Sequence, residues 1–187
     1  MTGHRFPADH SKRLSDDSRR KVQPAEDMIR RMSPRPSEVV ADLGCGTGYI
    51  TIPLAPLVTK VYAIDAQQTM LDRLVEHVPE GYGGRVEAVL AELPPLPLAD
   101  SSIDRAVMVN VIHEIDDLPL LHSELQRCLR EGGRLSIVDF PRRETSFGPP
   151  LEERLSEEQV MELFTSFQRV KGWSFSEFYQ LELVLRP

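Results

Sequence analysis

A turn that contains three glycines, placed between a buried strand and a helix, constrains this chain more than any other feature. Gly44, Gly46 and Gly48 follow the apolar run 38–43 and precede a helical pattern, and the next apolar run ends at Asp65. Glycines in such a turn let the backbone approach a ligand where any Cβ would clash. A carboxylate at the end of the second strand lies at the edge where open α/β sheets bind ligands. The pattern predicts a nucleoside site.

The spacing of these glycines argues against a dinucleotide site. They follow G-x-G-x-G, whereas dinucleotide-binding turns follow G-x-G-x-x-G and need a third glycine for close helix–strand packing. Tyr49 occupies that third position. Asp42, just before the turn, would place a negative charge near a bound pyrophosphate. The loop therefore suits a positively charged nucleoside, and a nicotinamide dehydrogenase is the least favoured enzyme class.

Composition sets the broad class of the protein. With 187 residues, of which 41% are apolar and 27% charged, the chain is predicted to form one domain, 1–187. The formal net charge of −7 disfavours a broad nucleic-acid-binding surface. Two cysteines, Cys45 and Cys128, are too few for a disulfide framework and fit a reducing compartment. Since no apolar run approaches membrane-spanning length and no signal-peptide core is visible, we expect a soluble cytoplasmic protein.

Strand-like and helical patterns alternate along most of the chain. Pro24 suits the first turn of a helix that ends before Pro34 and carries Met28, Ile29 and Met32. Strands are then expected at 38–43, 60–64, 85–90, 103–109 and 134–139, and helices at 49–57, 67–77, 118–129 and near 156–165. This alternation predicts an α/β fold with a doubly wound, mostly parallel sheet.

The last part of the chain has a different pattern. Gly132 and Gly133 are expected to end the helix at 118–129 and to turn the chain into the next strand. The β-like runs 167–175 and 178–185 are separated by only two residues, too few for a crossover helix. They predict an antiparallel hairpin.

Four segments carry a family resemblance: 39–49, 61–71, 91–104 and 129–140, the last reading Leu-Arg-Glu-Gly-Gly-Arg-Leu-Ser-Ile-Val-Asp-Phe. In this order they resemble the class I S-adenosylmethionine-dependent methyltransferases, particularly small ones of the ubiquinone/menaquinone-biosynthesis type. The resemblance covers roughly residues 24–187. It implies a Rossmann-like methyltransferase fold, in which a seven-stranded, mostly parallel sheet closes with an antiparallel C-terminal hairpin.

The resemblance also implies a cofactor. It is S-adenosyl-L-methionine, a nucleoside with a positively charged sulfonium, and its product form is S-adenosyl-L-homocysteine. The residues expected to bind it are Asp42, Gly44, Cys45, Gly46, Gly48, Asp65, Ala66, Met70, Ala91, Glu92 and Asn110.

Some of these residues have alternative interpretations. Asp42 is expected to orient the glycine turn or to reach the cofactor's amino group through water, with a cap for the turn as the alternative. Asp65 is expected to accept hydrogen bonds from both ribose hydroxyls, with a cap for the helix that begins near Gln67 as the alternative. Met70 would pack against the adenine ring or fill the core.

The segment expected to recognise adenine departs from the family pattern. Many relatives have an aspartate directly before the alanine, where this chain has Leu90. The adenine amino group would then be read by the backbone at Ala91 or by the Glu92 side chain. Asn110, after the fourth strand, is expected to contact the methionine end of the cofactor through its backbone.

His113 and Asp139 are the candidate catalytic residues. His113 is a candidate general base, because its ordinary pKa lies near physiological pH, and the alternative is a residue that shapes the substrate pocket without a proton role. Asp139, at the end of the fifth strand, would face the acceptor pocket or cap the following loop. No metal is expected, because the zinc motif H-E-x-x-H would need histidine where Asp117 stands.

These expectations combine into in-line methyl transfer to a small-molecule acceptor. Residues 1–22 are expected to cover the cofactor pocket as a lid and to form the substrate wall with 140–156, and a loosely ordered tail is the alternative.

Two other functions stay open, a non-catalytic S-adenosylmethionine-binding protein and a methyltransferase that acts on protein or RNA. The second would use Arg19, Arg20, Lys21, Arg142 and Arg143. Nucleic acid and membrane are nevertheless disfavoured partners, and no pattern indicates the acceptor or the oligomeric state.

Overall fold

The computed structural model describes residues 17–187, which divide into two compact units, 17–92 and 93–187. The predicted lid spans residues 1–22, of which 1–16 lie outside the described part. The described portion of that segment contains helix α1, Asp17–Val22.

The N-terminal unit continues with helix α2, Ala25–Met32, which follows Pro24 as the sequence predicts. Acidic residues in its first turn and basic residues in its last turn complement the helix dipole. The helix ends at Ser33, which adopts a left-handed conformation with a φ of 50°. Its buried face carries Ala25, Met28, Ile29 and Met32.

Three parallel strands form the sheet of the N-terminal unit in the order β3-β2-β1. Helices connect them, so their carboxyl ends lie at one edge of the sheet. In register, Leu43 pairs with Ile64, and Asp65 pairs with Leu90. The elements are β1, Val39–Leu43; α3, Thr51–Leu54; β2, Lys60–Asp65; α4, Gln68–His77; and β3, Val86–Leu90.

Four strands form the sheet of the C-terminal unit in the order β4-β5-β7-β6. Strands β4 and β5 are parallel, whereas β7 is antiparallel to both β5 and β6. The last two strands are therefore the predicted hairpin. The elements are β4, Ile103–Val109; α5, Leu118–Cys128; β5, Leu129–Asp139; α6, Glu157–Leu163; β6, Phe167–Ser174; and β7, Tyr179–Leu185.

The expectation for the paired glycines was wrong. Helix α5 ends at Cys128 and β5 begins directly at Leu129, so Gly132 and Gly133 lie within the strand. The pairing of β5 with β4 jumps from Leu129 to Arg134, which places both glycines in a bulge. A left-handed φ of 69° at Gly132 explains why glycine is needed there.

The predicted helix at 49–57 is shorter than expected. Helix α3 begins only at Thr51, and its continuation, Ala55–Leu57, is a 3₁₀ segment that contains Pro56. Proline lacks the N–H that an α-helix would need at that point. Across residues 17–187, no helix is long and apolar enough to cross a membrane.

Candidate active site

The glycine turn after β1 has a backbone that other residues rarely adopt. Gly44, Gly46 and Gly48 have φ values of 68°, 54° and 91°, all in the left-handed region. At Gly48 a Cβ would also lie 2.5 Å from Leu74 Cδ1. The path of the chain therefore requires all three glycines, and at Gly48 the contact with Leu74 also excludes a side chain.

Hydrogen bonds fix this turn to the end of β2. The backbone N–H groups of Gly44 and Cys45 both donate to the Ile64 carbonyl oxygen, at 2.8 and 3.0 Å. The Gly46 N–H donates to Asp65 Oδ2 at 2.8 Å. The predicted cofactor residues on β1 and β2 thus lie together at the carboxyl edge of the sheet.

Asp65 also connects the ends of β2 and β3. Its Oδ1 accepts a hydrogen bond from the Gln67 N–H at 2.9 Å, and its carbonyl oxygen accepts one from the Ala91 N–H at 3.0 Å. Burial raises the pKa of Asp65, although the backbone N–H bonds from Gln67 and Gly46 oppose that shift. Gln67 itself is the N-cap of α4, so Asp65 holds the residue that precedes the helix and does not cap its first turn.

These backbone contacts leave the carboxylate of Asp65 able to accept a further hydrogen bond. A carboxylate has about four lone-pair positions, and the backbone N–H groups of Gly46, Ala66 and Gln67 bond to that of Asp65. Ribose binding by Asp65 remains a prediction, and this geometry is compatible with it.

Asp42 holds the start of the following helix. It is 2% exposed, and its Oδ2 accepts a hydrogen bond from Thr51 Oγ1 at 2.6 Å. This contact connects β1 to the start of α3, and the role of Asp42 toward the cofactor stays a prediction. Cys45 packs in the core beside Leu71 and Leu74. Burial, with smaller effects of Asp42 and Asp65, raises the pKa of its thiol, which therefore stays protonated.

The other predicted cofactor residues differ in exposure. Met70 is 2% exposed, so it fills the core of the N-terminal unit. Ala91 is half-buried, whereas Ala66 and Glu92 are exposed. The structure thus places the three strand ends of the predicted site together, and it leaves the contact of Met70 with adenine as a prediction.

The C-terminal unit brings the predicted catalytic residues into contact. His113 Nδ1 lies 2.8 Å from Asp139 Oδ1, and because a carboxylate only accepts, Nδ1 is the protonated nitrogen. Asn110, with a left-handed φ of 59°, donates its N–H to the Val138 carbonyl oxygen at 2.8 Å. Asn110 directly follows β4, His113 lies in the 3₁₀ segment Ile112–Glu114 after it, and Asp139 ends β5.

The environment of His113 favours its charged form. Burial opposes the charge, but the Asp139 carboxylate, with smaller effects of Glu114 and Glu153, raises the pKa of His113 above its ordinary value. The Phe140 ring lies edge-on to the imidazole, with 6.0 Å between ring centroids. In the neutral ring, Nε2 carries the basic lone pair, which is the property a general base needs.

The segment 140–156 is organised by one arginine that the sequence analysis missed. Arg154 is 5% exposed and lies over the Phe140 ring, 5.5 Å from its centroid. The segment is rich in polar residues and prolines, and no pattern in its sequence indicates that Arg154 is buried. Its guanidinium donates to the carbonyl oxygens of Pro141, Arg143 and Pro149 and to Thr145 Oγ1.

Tyr179 is a second residue that the sequence analysis missed. It begins β7 and pairs in register with Asp139 across the antiparallel ladder. It is 1% exposed. A tyrosine in a hairpin strand looks like core in sequence, and only the register shows that it faces Asp139. Within residues 17–187, no group of three or more His, Cys, Asp or Glu side chains could hold a metal.

Comparison with known proteins identifies the family. Residues 41–137 match the methyltransferase domain family. The chain is 33% identical over 143 residues to a probable S-adenosylmethionine-dependent methyltransferase of Mycobacterium tuberculosis, covering 73% of this chain and 50% of that protein. It is 33% identical over 119 residues to the ubiquinone/menaquinone biosynthesis C-methyltransferase of Hahella chejuensis, covering 60% and 47%. The chain thus spans about half the length of these curated relatives.

A solved structure agrees with this family. The fold is similar to that of an S-adenosylmethionine-dependent methyltransferase from Aquifex aeolicus, with a TM-score of 0.88 and 26% identity, covering 97% of this chain and 100% of that one. The chain belongs to the class I S-adenosylmethionine-dependent methyltransferases. The likeness confirms the predicted Rossmann-like fold, with seven mostly parallel strands and an antiparallel C-terminal hairpin. S-adenosylmethionine is the cofactor of this family.

Proposed function

We propose that this protein transfers the methyl group of S-adenosylmethionine to a small-molecule acceptor by in-line displacement. One observation carries the proposal. Asp65, at the end of β2, accepts a hydrogen bond from the glycine turn after β1 through its side chain and one from Ala91, after β3, through its carbonyl oxygen. The ends of three parallel strands therefore lie together. This is the edge at which open α/β sheets bind ligands.

The residues of the N-terminal unit fit the chemistry of an adenosyl donor. The glycine turn offers backbone without side chains for the methionine part, and Asp65 offers lone pairs for the ribose hydroxyls. Asp42 and Asp65 are carboxylates, which suit a ligand with a positive charge. When bound, S-adenosylmethionine supplies an activated methyl group and leaves as S-adenosylhomocysteine.

His113 and Asp139 have the geometry of a base and the group that orients it. Asp139 holds the Nδ1–H, so Nε2 is available to take the proton that an acceptor loses when it is methylated. An acceptor that is already ionised needs no base. For such an acceptor, positioning and exclusion of water contribute most of the catalysis.

The segment 140–156 is proposed to form a wall of the acceptor site in the C-terminal unit, and the segment 1–22 is proposed to cover the cofactor site of the N-terminal unit. The hydrogen bond from Tyr49 Oη to the Gln23 carbonyl oxygen, 2.7 Å long, supports a role for the N-terminal segment, because Tyr49 directly follows the glycine turn. The ordered contacts of Arg154 support the role of 140–156.

The two alternatives have less support. A macromolecular acceptor was predicted to use Arg143, but its guanidinium donates to the carbonyl oxygens of Phe175 and Ser176. Arg20 and Lys21 are exposed and remain candidate contacts. A non-catalytic binding protein would not need the His113–Asp139 pair.

Methyl transfer can be tested with labelled cofactor. The protein is incubated with methyl-labelled S-adenosylmethionine and the small-molecule fraction of a cell extract, and in parallel with the RNA and protein fractions. The proposal predicts label in a small molecule, and less label with His113→Gln. Label in RNA or protein alone would contradict the small-molecule acceptor, and no label in any fraction would favour the non-catalytic alternative.

A further inference from the structure

Two buried polar atoms of the C-terminal unit have no hydrogen-bond partner among residues 17–187. They are Asp139 Oδ2 and Tyr179 Oη. Their residues are 2% and 1% exposed, so neither atom faces bulk solvent. Buried polar groups in folded proteins are nearly always paired, and an unpaired one requires an explanation.

The fold places these two atoms on the same face of the sheet. Asp139 and Tyr179 are directly opposite each other in the antiparallel pairing of β5 with β7, and opposite residues project their side chains to the same side. Burial, followed by the nearby Asp139 carboxylate, raises the pKa of Tyr179 above its ordinary value. The phenol therefore keeps its proton and is available as a donor.

The other oxygen of Asp139 is fully used. Oδ1 accepts hydrogen bonds from His113 Nδ1 at 2.8 Å and from the Phe140 N–H at 2.7 Å. Oδ2 is the acceptor that remains. The same carboxylate therefore orients the imidazole with one oxygen, and its other oxygen has no partner among the described residues.

We propose that Asp139 Oδ2 and Tyr179 Oη form a subsite that binds one hydroxyl group of the methyl acceptor. A hydroxyl donates through its hydrogen and accepts through its oxygen, so one atom satisfies both the carboxylate and the phenol. An ammonium offers no acceptor for the Tyr179 hydrogen, and a carboxylate would be repelled by Asp139. This inference rests on the proposed methyl-transfer function and adds the chemical class of its substrate.

The surroundings of the subsite indicate an apolar body for that substrate. Phe140 lies edge-on to His113, and Phe147 lies edge-on to Phe140 with 5.6 Å between ring centroids. Phe147 is 42% exposed, so it can be covered by a ligand. We therefore expect a hydroxyl carried on a ring or a hydrocarbon skeleton.

Matched small molecules test the subsite. Dissociation constants are measured by NMR titration for cyclohexanol against methylcyclohexane and for phenol against toluene, with and without S-adenosylhomocysteine. The wild type is expected to bind at least one hydroxyl compound tenfold or more tightly than its methyl analogue. Tyr179→Phe is expected to reduce that preference at least fivefold. Tyr62→Phe, which alters a half-buried tyrosine of the N-terminal unit, should keep it.

The proposal is overturned if the wild type shows no preference for either hydroxyl compound, or if Tyr179→Phe retains the preference. A structural water is a distinct outcome: Tyr179→Phe would then lower the melting temperature by several degrees and leave any preference unchanged, which also overturns the subsite. We expect an unchanged or higher melting temperature, since the variant removes an oxygen that has no protein partner.

This experiment separates the subsite from the proposed function. Probe binding requires no turnover. A protein that prefers hydroxyl compounds but does not bind S-adenosylmethionine would retain the subsite and refute methyl transfer. A protein that binds S-adenosylmethionine but shows no hydroxyl preference would refute the subsite and leave the proposed methyl transfer intact.

Discussion

At the scale of single residues, the Asp139 carboxylate opposes the effect of burial and favours the protonated form of His113. A raised pKa means that folding stabilises the protonated imidazole. That stabilisation is fully present below about pH 6.5, the ordinary pKa, and is lost as the pH rises through the raised pKa of the folded state. Because only the neutral ring accepts a proton, a base-dependent rate rises with pH over the same range above pH 6.5.

Asp139→Asn should lower the pKa of His113, because it removes the carboxylate that favours the charged ring. The pKa is measured by NMR titration of the histidine Cε1–H signals, and His113→Gln assigns the resonance. Asp116→Asn, an exposed carboxylate between His113 and α5, is the control and should leave the pKa close to that of the wild type. An unchanged pKa in Asp139→Asn would contradict the proposed role of the pair.

Gly48→Ala should destabilise the protein through both backbone and packing. A left-handed φ costs a non-glycine residue about 1–2 kcal/mol, and overpacking adds about 1–3 kcal/mol. Gly81→Ala is a matched control, because Gly81 has a φ of 87° and no described atom lies within 4 Å of its Cβ position. Urea unfolding should show a larger loss for Gly48→Ala than for Gly81→Ala. Equal losses would show that the contact with Leu74 has no effect.

The sequence indicates candidate site residues where one continuous segment contains the whole motif. The glycine turn and Asp65 are recognisable because strand, turn and carboxylate follow each other in a fixed order. Local sequence does not encode the contact of His113 with Asp139, since the two side chains meet only when β4 and β5 pair. Tyr179 was missed for the same reason, because its neighbour is set by the register of a hairpin strand.

At the scale of structural elements, the segment 140–156 depends on Arg154. Arg154→Lys keeps the charge but loses the planar fork that reaches several acceptors at once. We expect a loss of about 1–3 kcal/mol in the free energy of unfolding and faster amide exchange across 142–148. Arg142→Lys, at an exposed position in the same segment, is the control. Equal exchange rates in the two variants would refute the organising role of Arg154.

The bounds of helices and strands were predicted well where hydrophobic periodicity distinguishes the two. Strand β4 has the predicted bounds, and α5 ends one residue earlier than expected. Gly132 was wrongly predicted to end a helix, because glycine is common both at helix ends and in strand bulges. Only the pairing of β5 with β4 shows that this glycine lies in a bulge. Segment 140–156 has no periodicity, so its order could not be predicted.

At the scale of the whole molecule, the central claim is that the chain binds an adenosyl donor with a positive charge. Isothermal titration calorimetry with S-adenosylmethionine, S-adenosylhomocysteine, NADH and ATP tests this most directly. We expect the first two to bind in preference to the others. Asp65→Ala should weaken S-adenosylmethionine binding tenfold or more, about 1.4 kcal/mol, whereas Asp72→Ala, an exposed carboxylate on α4, should not. Preferred binding of NADH or ATP, or no binding of the adenosyl donor, would contradict the account.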